Sequence, residues 1–140
     1  MTAHCFADTN LFLYAASRDP ADRAKKKRAR ALLATEDIGI SAQVLQEFFY
    51  AATRKNRLGI TEAEATQIIA AMREFPVLPV TAELVMDAIA LKARHQISYW
   101  DAAIIAAARG LGCEVLYTED LNDGQDYSGV IARNPFAGIP

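Results

Sequence analysis

Cysteine and histidine are scarce in this sequence, with two of each among 140 residues: Cys5, Cys113, His4 and His95. Two cysteines cannot build a disulfide framework, and the histidines do not stand at zinc-site spacing, so both thiols, set in apolar strand-like runs, read as core. No apolar run approaches the ~18 residues of a membrane span, and Met1–Ala7 lacks a basic stretch followed by a long apolar one, so neither a spanning helix nor a secretion signal is expected. The cytoplasm is the default location. Seven glycines and five prolines are too few for a collagen-like or low-complexity chain. What is present is a hydrophobic fraction of 52% against 23% charged residues, enough to bury one sizeable core. Residues 1–140 are expected to form a single domain.

The net charge of −2 conceals a gradient. Residues 1–57 carry ten Lys/Arg against six Asp/Glu (+4), residues 58–100 three against five (−2), and residues 101–140 two against six (−4). Seven of the fifteen basic residues fall between Arg18 and Arg30. The C-terminal third gathers Asp101, Glu119, Asp120, Asp123 and Asp126. Such asymmetry points to a charged partner.

Short apolar runs alternate with helical periodicity. Cys5–Ala7 reads as a buried strand, followed by a turn at Asp8-Thr9-Asn10 and a helix through Leu11, Phe12 and Tyr14. A basic helix is expected near 21–34, a strand over 37–40, and a helix capped by Ser41 with Val44, Leu45, Phe48, Phe49 and Ala52 on one face. Thr61-Glu62-Ala63-Glu64 is a capping box opening a helix that Pro76 stops. Val77–Val80 is a strand candidate weakened by Pro79, Thr81 caps a helix to about His95, and Ser98 caps another to about Leu111. Glu114–Tyr117 and 130–132 complete the strands. Strands separated by helices imply parallel βαβ units, hence a three-layer α/β/α sandwich with a short-stranded parallel sheet.

Four acids occupy positions that ask for a partner. Asp8 and Asp120 follow buried-type strands and so stand at the carboxyl edge of the sheet, where α/β folds place their ligands. Asp8 also fits an N-cap, and Asp120 an ordinary loop acid. Asp101 lies on the apolar face of its helix, with Ile104, Ile105 and Ala108 at helical spacing, although Ser98-x-x-Asp101 is also a capping box. Glu47 borders the apolar stripe of its helix and, alone, reads as a surface glutamate. Together, with no matching set of buried Arg or Lys, these four could not converge as free anions. Oxygen-only ligands favour a hard cation, magnesium or manganese (Mg²⁺ or Mn²⁺). Such an ion activates water and offsets charge on a phosphodiester, so metal-assisted hydrolysis fits. Arg23, Lys25, Lys26, Lys27, Arg28 and Arg30, with Arg54, Lys55 and Arg57, form either a solvated helix face or a cradle for a nucleic-acid backbone.

At this point the sequence resembles the PIN-domain ribonucleases, and specifically VapC-type toxins of bacterial toxin–antitoxin pairs. The likeness spans nearly the whole chain and rests on Asp8-Thr9-Asn10-Leu11-Phe12-Leu13-Tyr14-Ala15, Ser41-x-x-Val44-x-x-Glu47-Phe48, Trp100-Asp101-Ala102-Ala103-Ile104 and Thr118-Glu119-Asp120. The resemblance implies that Asp8, Glu47, Asp101 and Asp120 are metal-binding carboxylates, that Asp123 is an additional acidic ligand, and that Thr9 and Thr118 flank the site. It further implies a Mg²⁺- or Mn²⁺-dependent endoribonuclease acting on RNA, a homodimer, and a cognate antitoxin that wraps the toxin and blocks the site with a basic residue. Asp120 rather than the adjacent Glu119 falls at the family's position, two residues after Thr118. Phe48-Phe49-Tyr50 and Leu11-Phe12 read either as plain core or as the surface of a dimer or antitoxin groove.

Two other readings compete. Asp8-Thr9-Asn10 after a strand resembles the nucleophilic aspartate of haloacid-dehalogenase-like phosphatases, though those usually carry a second Asp where this chain has Asn10. A catalytically inactive PIN-like RNA- or protein-binding module is the third, and loss of catalysis there normally removes carboxylates that this chain keeps.

Overall fold

Every residue of Cys5–Ala7 (β1) is buried, because helices cover both faces of the sheet at its centre and a strand there has no polar side to show. The computed structural model describes residues 1–140. After β1 come α1 (Thr9–Ala16), a 3₁₀ turn (Pro20–Asp22), α2 (Arg23–Thr35), β2 (Ile38–Ser41), α3 (Ala42–Arg54), a second 3₁₀ turn (Asn56–Leu58) and α4 (Glu62–Met72). The chain continues with β3 (Val77–Leu78), α5 (Ala82–His95), α6 (Tyr99–Gly110), β4 (Val115–Tyr117), β5 (Asp126–Tyr127) and β6 (Val130–Arg133).

The sheet order is β3-β2-β1-β4-β6-β5. All neighbouring pairs are parallel except β5 with β6, which is antiparallel. Building outward from β1 through β2 to β3, the chain then returns past β1 to lay β4 on its other side. Right-handed crossovers therefore put the helices of the two directions on opposite faces. In agreement, α2 packs on α1, α1 on α3 and α3 on α4, while α5 and α6 pack on one another and α6 lies along β2, β4 and β6. This is the expected three-layer α/β/α arrangement. The reversal of direction falls between β1 and β4, which opens a crevice at their carboxyl ends.

Local signals explain the helix starts. Ser41, Thr81 and Ser98 accept the N–H groups of Val44, Leu84 and Asp101, and Thr61 forms the full capping box with Glu64. Gly39 is demanded by space rather than by conformation: a Cβ there would meet Leu111 Cδ1 at 2.7 Å and Ala3 Cβ at 2.8 Å. Cys5 and Cys113 are buried free thiols, as core residues should be.

The structure departs from the sequence expectations in three places. The sheet is not wholly parallel, because Ser128 (φ 55) and Gly129 (φ 99) form a tight turn that folds β5 back on β6, the positive-φ geometry of two-residue hairpins. The strand at Val77 ends after Leu78, since Pro79 has no N–H to continue the ladder. Helix α1 begins at Thr9, immediately after Asp8, so no separate turn intervenes.

Candidate metal centre

Asp8 and the loop that carries Asp120 stand at the crevice between β1 and β4, and Glu47 is bonded to Thr9 beside Asp8. Asp8 directly follows β1, caps α1 and is 7% exposed. Its Oδ1 accepts the Thr9 N–H at 2.7 Å and its Oδ2 the Thr118 hydroxyl at 2.8 Å. The Asp8 N–H in turn donates to the Tyr117 carbonyl at 3.0 Å, which ties the ends of the two strands together. The N-cap role is thus real and leaves the carboxylate facing the crevice end of the sheet. Thr118, also buried, accepts the Asp120 N–H at 3.1 Å on the same oxygen. One hydroxyl therefore sets both Asp8 and the loop that carries Asp120.

Glu47 arrives from the second turn of α3. Its Oε1 accepts from Gln43 Nε2 at 3.1 Å and from the Thr9 hydroxyl at 3.4 Å. Gln43 is buried and also donates to the Trp100 carbonyl at 3.3 Å, linking α3 to the first turn of α6. There the Ser98 hydroxyl accepts the Asp101 N–H at 3.1 Å. The return bond of a capping box is not made, so the Asp101 carboxylate is left without an intramolecular partner.

The electrostatics report a shared field. Burial foremost, opposed by the Thr118 and Thr9 bonds and reinforced by the charges of Asp120 and Glu47, pushes the Asp8 carboxyl up to about 7. Burial likewise raises Glu47, with Gln43 and Thr9 opposing and Asp101 and Asp120 adding repulsion. Asp120 is raised by burial, then by the charges of Asp101 and Glu119, with the charge of Lys55 opposing. In Asp8, Glu47 and Asp120 alike, the charge of another of these acids adds to the rise that burial causes. None of them takes part in a salt bridge.

No three of these carboxylates converge closely enough to grip one ion as they stand. Asp8 is the fixed member, buried and bonded at both carboxylate oxygens, while Glu47 and Asp101 are half-buried and Asp120 is exposed. The donor chemistry, all oxygen with two threonine hydroxyls alongside, fits Mg²⁺ or Mn²⁺. Asp8, Glu47, Asp101 and Asp120 are the residues that would hold it.

The neighbouring acids behave differently. Glu119 turns toward α1 and α2, where its Oε1 accepts from Tyr14 Oη at 2.8 Å and Asn10 Nδ2 at 3.1 Å and its Oε2 lies 3.7 Å from Lys25 Nζ. Asp123 is not brought to the cluster: it is exposed, and its Oδ1 accepts the Asn134 N–H at 2.9 Å. Asn10, where a phosphatase of the haloacid-dehalogenase type would carry its second aspartate, is committed to Glu119. Gln43 escaped the sequence reading, although a glutamine one helical turn before a candidate ligand, at i−4, was a visible signal.

The basic stretch divides. Lys25 serves Glu119 and Tyr14, Arg28 Nε donates to the Pro135 carbonyl, Arg30 Nε to the Ala15 carbonyl, and Arg57 pairs with Asp19 and Asp22. Arg54 lies over the Tyr50 ring. Arg23, Lys26, Lys27 and Lys55 remain without an internal partner. Of the aromatic run, Phe48 is core, as are Leu11 and Phe12, while Tyr50 is 62% exposed.

The sequence matches the family model described as the PIN domain over residues 5–122. No curated protein matches it. Among solved structures, the VapC20 toxin of Mycobacterium tuberculosis, described as cleaving the sarcin–ricin loop, is 26% identical with a TM-score of 0.65, over 83% of this chain and 89% of that one. A toxin–antitoxin complex from Klebsiella pneumoniae is 20% identical with a TM-score of 0.68, over 94% and 97%. VapBC2 from Rickettsia felis, bound to a fragment of its promoter DNA, is 18% identical with a TM-score of 0.65, over 93% and 97%. With the family model running from β1 to the loop beyond β4, and toxins of this type sharing its fold, the chain belongs to the PIN-domain family.

Proposed function

We propose that this protein is a divalent-metal-dependent endoribonuclease and the toxin of a bacterial toxin–antitoxin pair. The observation that carries this reading is the group of four mutually repelling carboxylates, drawn from β1, α3, α6 and the loop after β4, with no cationic side chain bonded to any of them. Asp8, Glu47, Asp101 and Asp120 would hold Mg²⁺ or Mn²⁺. When bound, such an ion favours deprotonation of water and offsets charge on a phosphodiester oxygen.

The rest is work for the chain itself. Thr118 orients Asp8 and anchors Asp120, Gln43 and Thr9 aim Glu47, and Ser98 fixes the turn that presents Asp101. Lys26, Lys27 and Lys55 supply unpaired charge for an RNA backbone. Family relatives support the partner side of the reading, since the Klebsiella and Rickettsia structures are toxin–antitoxin assemblies. An apolar groove of about 470 Å³, lined by residues that include Phe12, Leu33, Ile68, Met72 and Phe75, offers a seat for an antitoxin helix. The exposed Tyr50 beside Leu45 and Phe49 offers apolar surface for a second copy.

The test is cleavage of a structured total-RNA pool by purified, antitoxin-free protein with Mg²⁺ or Mn²⁺, beside EDTA and beside folded Asp8→Asn and Asp101→Asn. Discrete cuts that need the metal and vanish in both variants are expected. A well-folded wild type that neither cuts RNA nor binds the metal would replace this reading with a non-catalytic binding module.

A further inference from the structure

The chain has one tryptophan, and it is 65% exposed. A large aromatic ring left in water forgoes much burial energy, and this one stands at an informative address. Trp100 immediately precedes Asp101 in the first turn of α6. Its carbonyl accepts from Gln43 Nε2, the same group that donates to Glu47 at 3.1 Å. Its ring meets the Tyr99 ring edge-on, with centroids 5.1 Å apart and an interplanar angle of 82°, while Tyr99 is itself half-buried against the core. The backbone of Trp100 is thus tied through Gln43 to Glu47 and adjoins Asp101, and its ring is braced on one side by Tyr99. The polar residues around it in the chain, Gln96, Ser98 and Asp101, include two exposed ones, which suits a face meeting a wet, charged ligand better than the apolar centre of a protein interface.

We propose that Trp100 is the base-stacking residue of this site: its indole carries an unpaired nucleobase next to the phosphate presented to Asp8, Glu47, Asp101 and Asp120. The proposal rests on the ribonuclease reading and deepens it. A base within a duplex is already stacked and hidden, so the substrate class becomes RNA with a single-stranded or loop nucleotide at the cut. Every base has a stackable face, so Trp100 supplies affinity and selects unpaired structure without reading sequence.

A single tryptophan makes the test direct. Its fluorescence is followed in the cleavage-disabled Asp8→Asn protein with Mn²⁺, while single-stranded or fully duplexed 20-mer RNA of one composition is added. In parallel, kcat and KM for single-stranded cleavage are measured for wild type, Trp100→Phe and Trp100→Ala, and Mn²⁺ affinity is measured for each without RNA. The single strand should quench the indole and the duplex should not. Trp100→Ala should raise KM roughly 10- to 100-fold, Trp100→Phe should recover most of that, and Mn²⁺ affinity should stay the same in all three. Wild-type cleavage combined with unmoved emission and an unaltered KM in Trp100→Ala overturns the stacking role alone. Emission that changes with protein concentration rather than with RNA, together with a Trp100→Ala protein that dissociates to monomers, overturns it in favour of an interface between copies. A wild type that cuts no RNA with Mn²⁺, with no response of the indole, overturns the ribonuclease reading and the stacking role together.

Discussion

The Thr118 hydroxyl reaches across 110 positions of chain to donate to Asp8 Oδ2 at 2.8 Å, and the same oxygen accepts the Asp120 N–H at 3.1 Å. A single buried atom therefore sets the relative placement of two candidate ligands, one from each strand that flanks the crevice. Thr118→Val keeps the shape and removes both bonds, leaving a buried carboxylate and an N–H short of partners. We expect a loss of about 1–3 kcal/mol in urea unfolding and a weaker Mn²⁺ affinity, with Thr118→Ser close to wild type in both.

The pH dependence of the metal-free protein follows from Asp8. Its folded pKa of about 7 lies above the unfolded value near 3.8, so the folded state binds the extra proton between those limits. The sign of the linkage is then negative: Asp8's contribution is fully present below about 4 and is lost as pH rises through about 7. Glu47 and Asp120, raised in the same direction, add to it. Urea midpoints in EDTA should fall between pH 5.5 and pH 8, by a difference on the order of a few kcal/mol at most. Asp8→Asn, whose Oδ1 still accepts from Thr9, should flatten that slope.

Metal addition should reverse the destabilisation. A ligand that binds only the folded state stabilises by about 2.7 kcal/mol at a hundred times its Kd, so saturating Mn²⁺ should raise the thermal midpoint of wild type at pH 8. Asp101→Asn and Asp120→Asn should lose most of that rise. Asp123→Asn should keep it, because the Asp123 side chain serves the Asn134 N–H instead. A rise lost in Asp123→Asn and retained in Asp120→Asn would reassign the ligand.

Gln43 should behave as a positioning residue. It aims Glu47 and holds the first turn of α6, contacts made with both side-chain hydrogens of one amide. Replacing it with Ala should lower Mn²⁺ affinity or kcat by roughly 10- to 100-fold, the usual cost of losing a partner behind a metal ligand. Gln43→Glu, which puts a fifth charge beside Glu47, should be worse than Ala.

Packing sets the last prediction. Gly39→Ala places a methyl within 2.8 Å of Ala3 Cβ and 2.7 Å of Leu111 Cδ1. The leucine can turn aside, but Ala3 is fixed to the backbone, so overpacking should cost about 1–3 kcal/mol in chemical denaturation.

The sequence by itself determined the alternation of short apolar strands with capped helices, and with it the layered architecture, because strand burial and helix capping are written in residues close together in the chain. It also marked Asp8, Glu47, Asp101 and Asp120, since an acid just past a buried strand or on an apolar helix face is conspicuous locally. What only the tertiary structure decided was which acids meet. Glu119 and Asp120 are adjacent and chemically alike, yet Tyr14, Asn10 and Lys25, distant in sequence, take the carboxylate of Glu119 and leave that of Asp120 exposed. The β5–β6 hairpin, the partition of the basic helix between internal partners and solvent, and the exposure of Trp100 were hidden for the same reason. Each depends on contacts between residues far apart in the chain, and those contacts exist only once the sheet has brought β1 and β4 side by side.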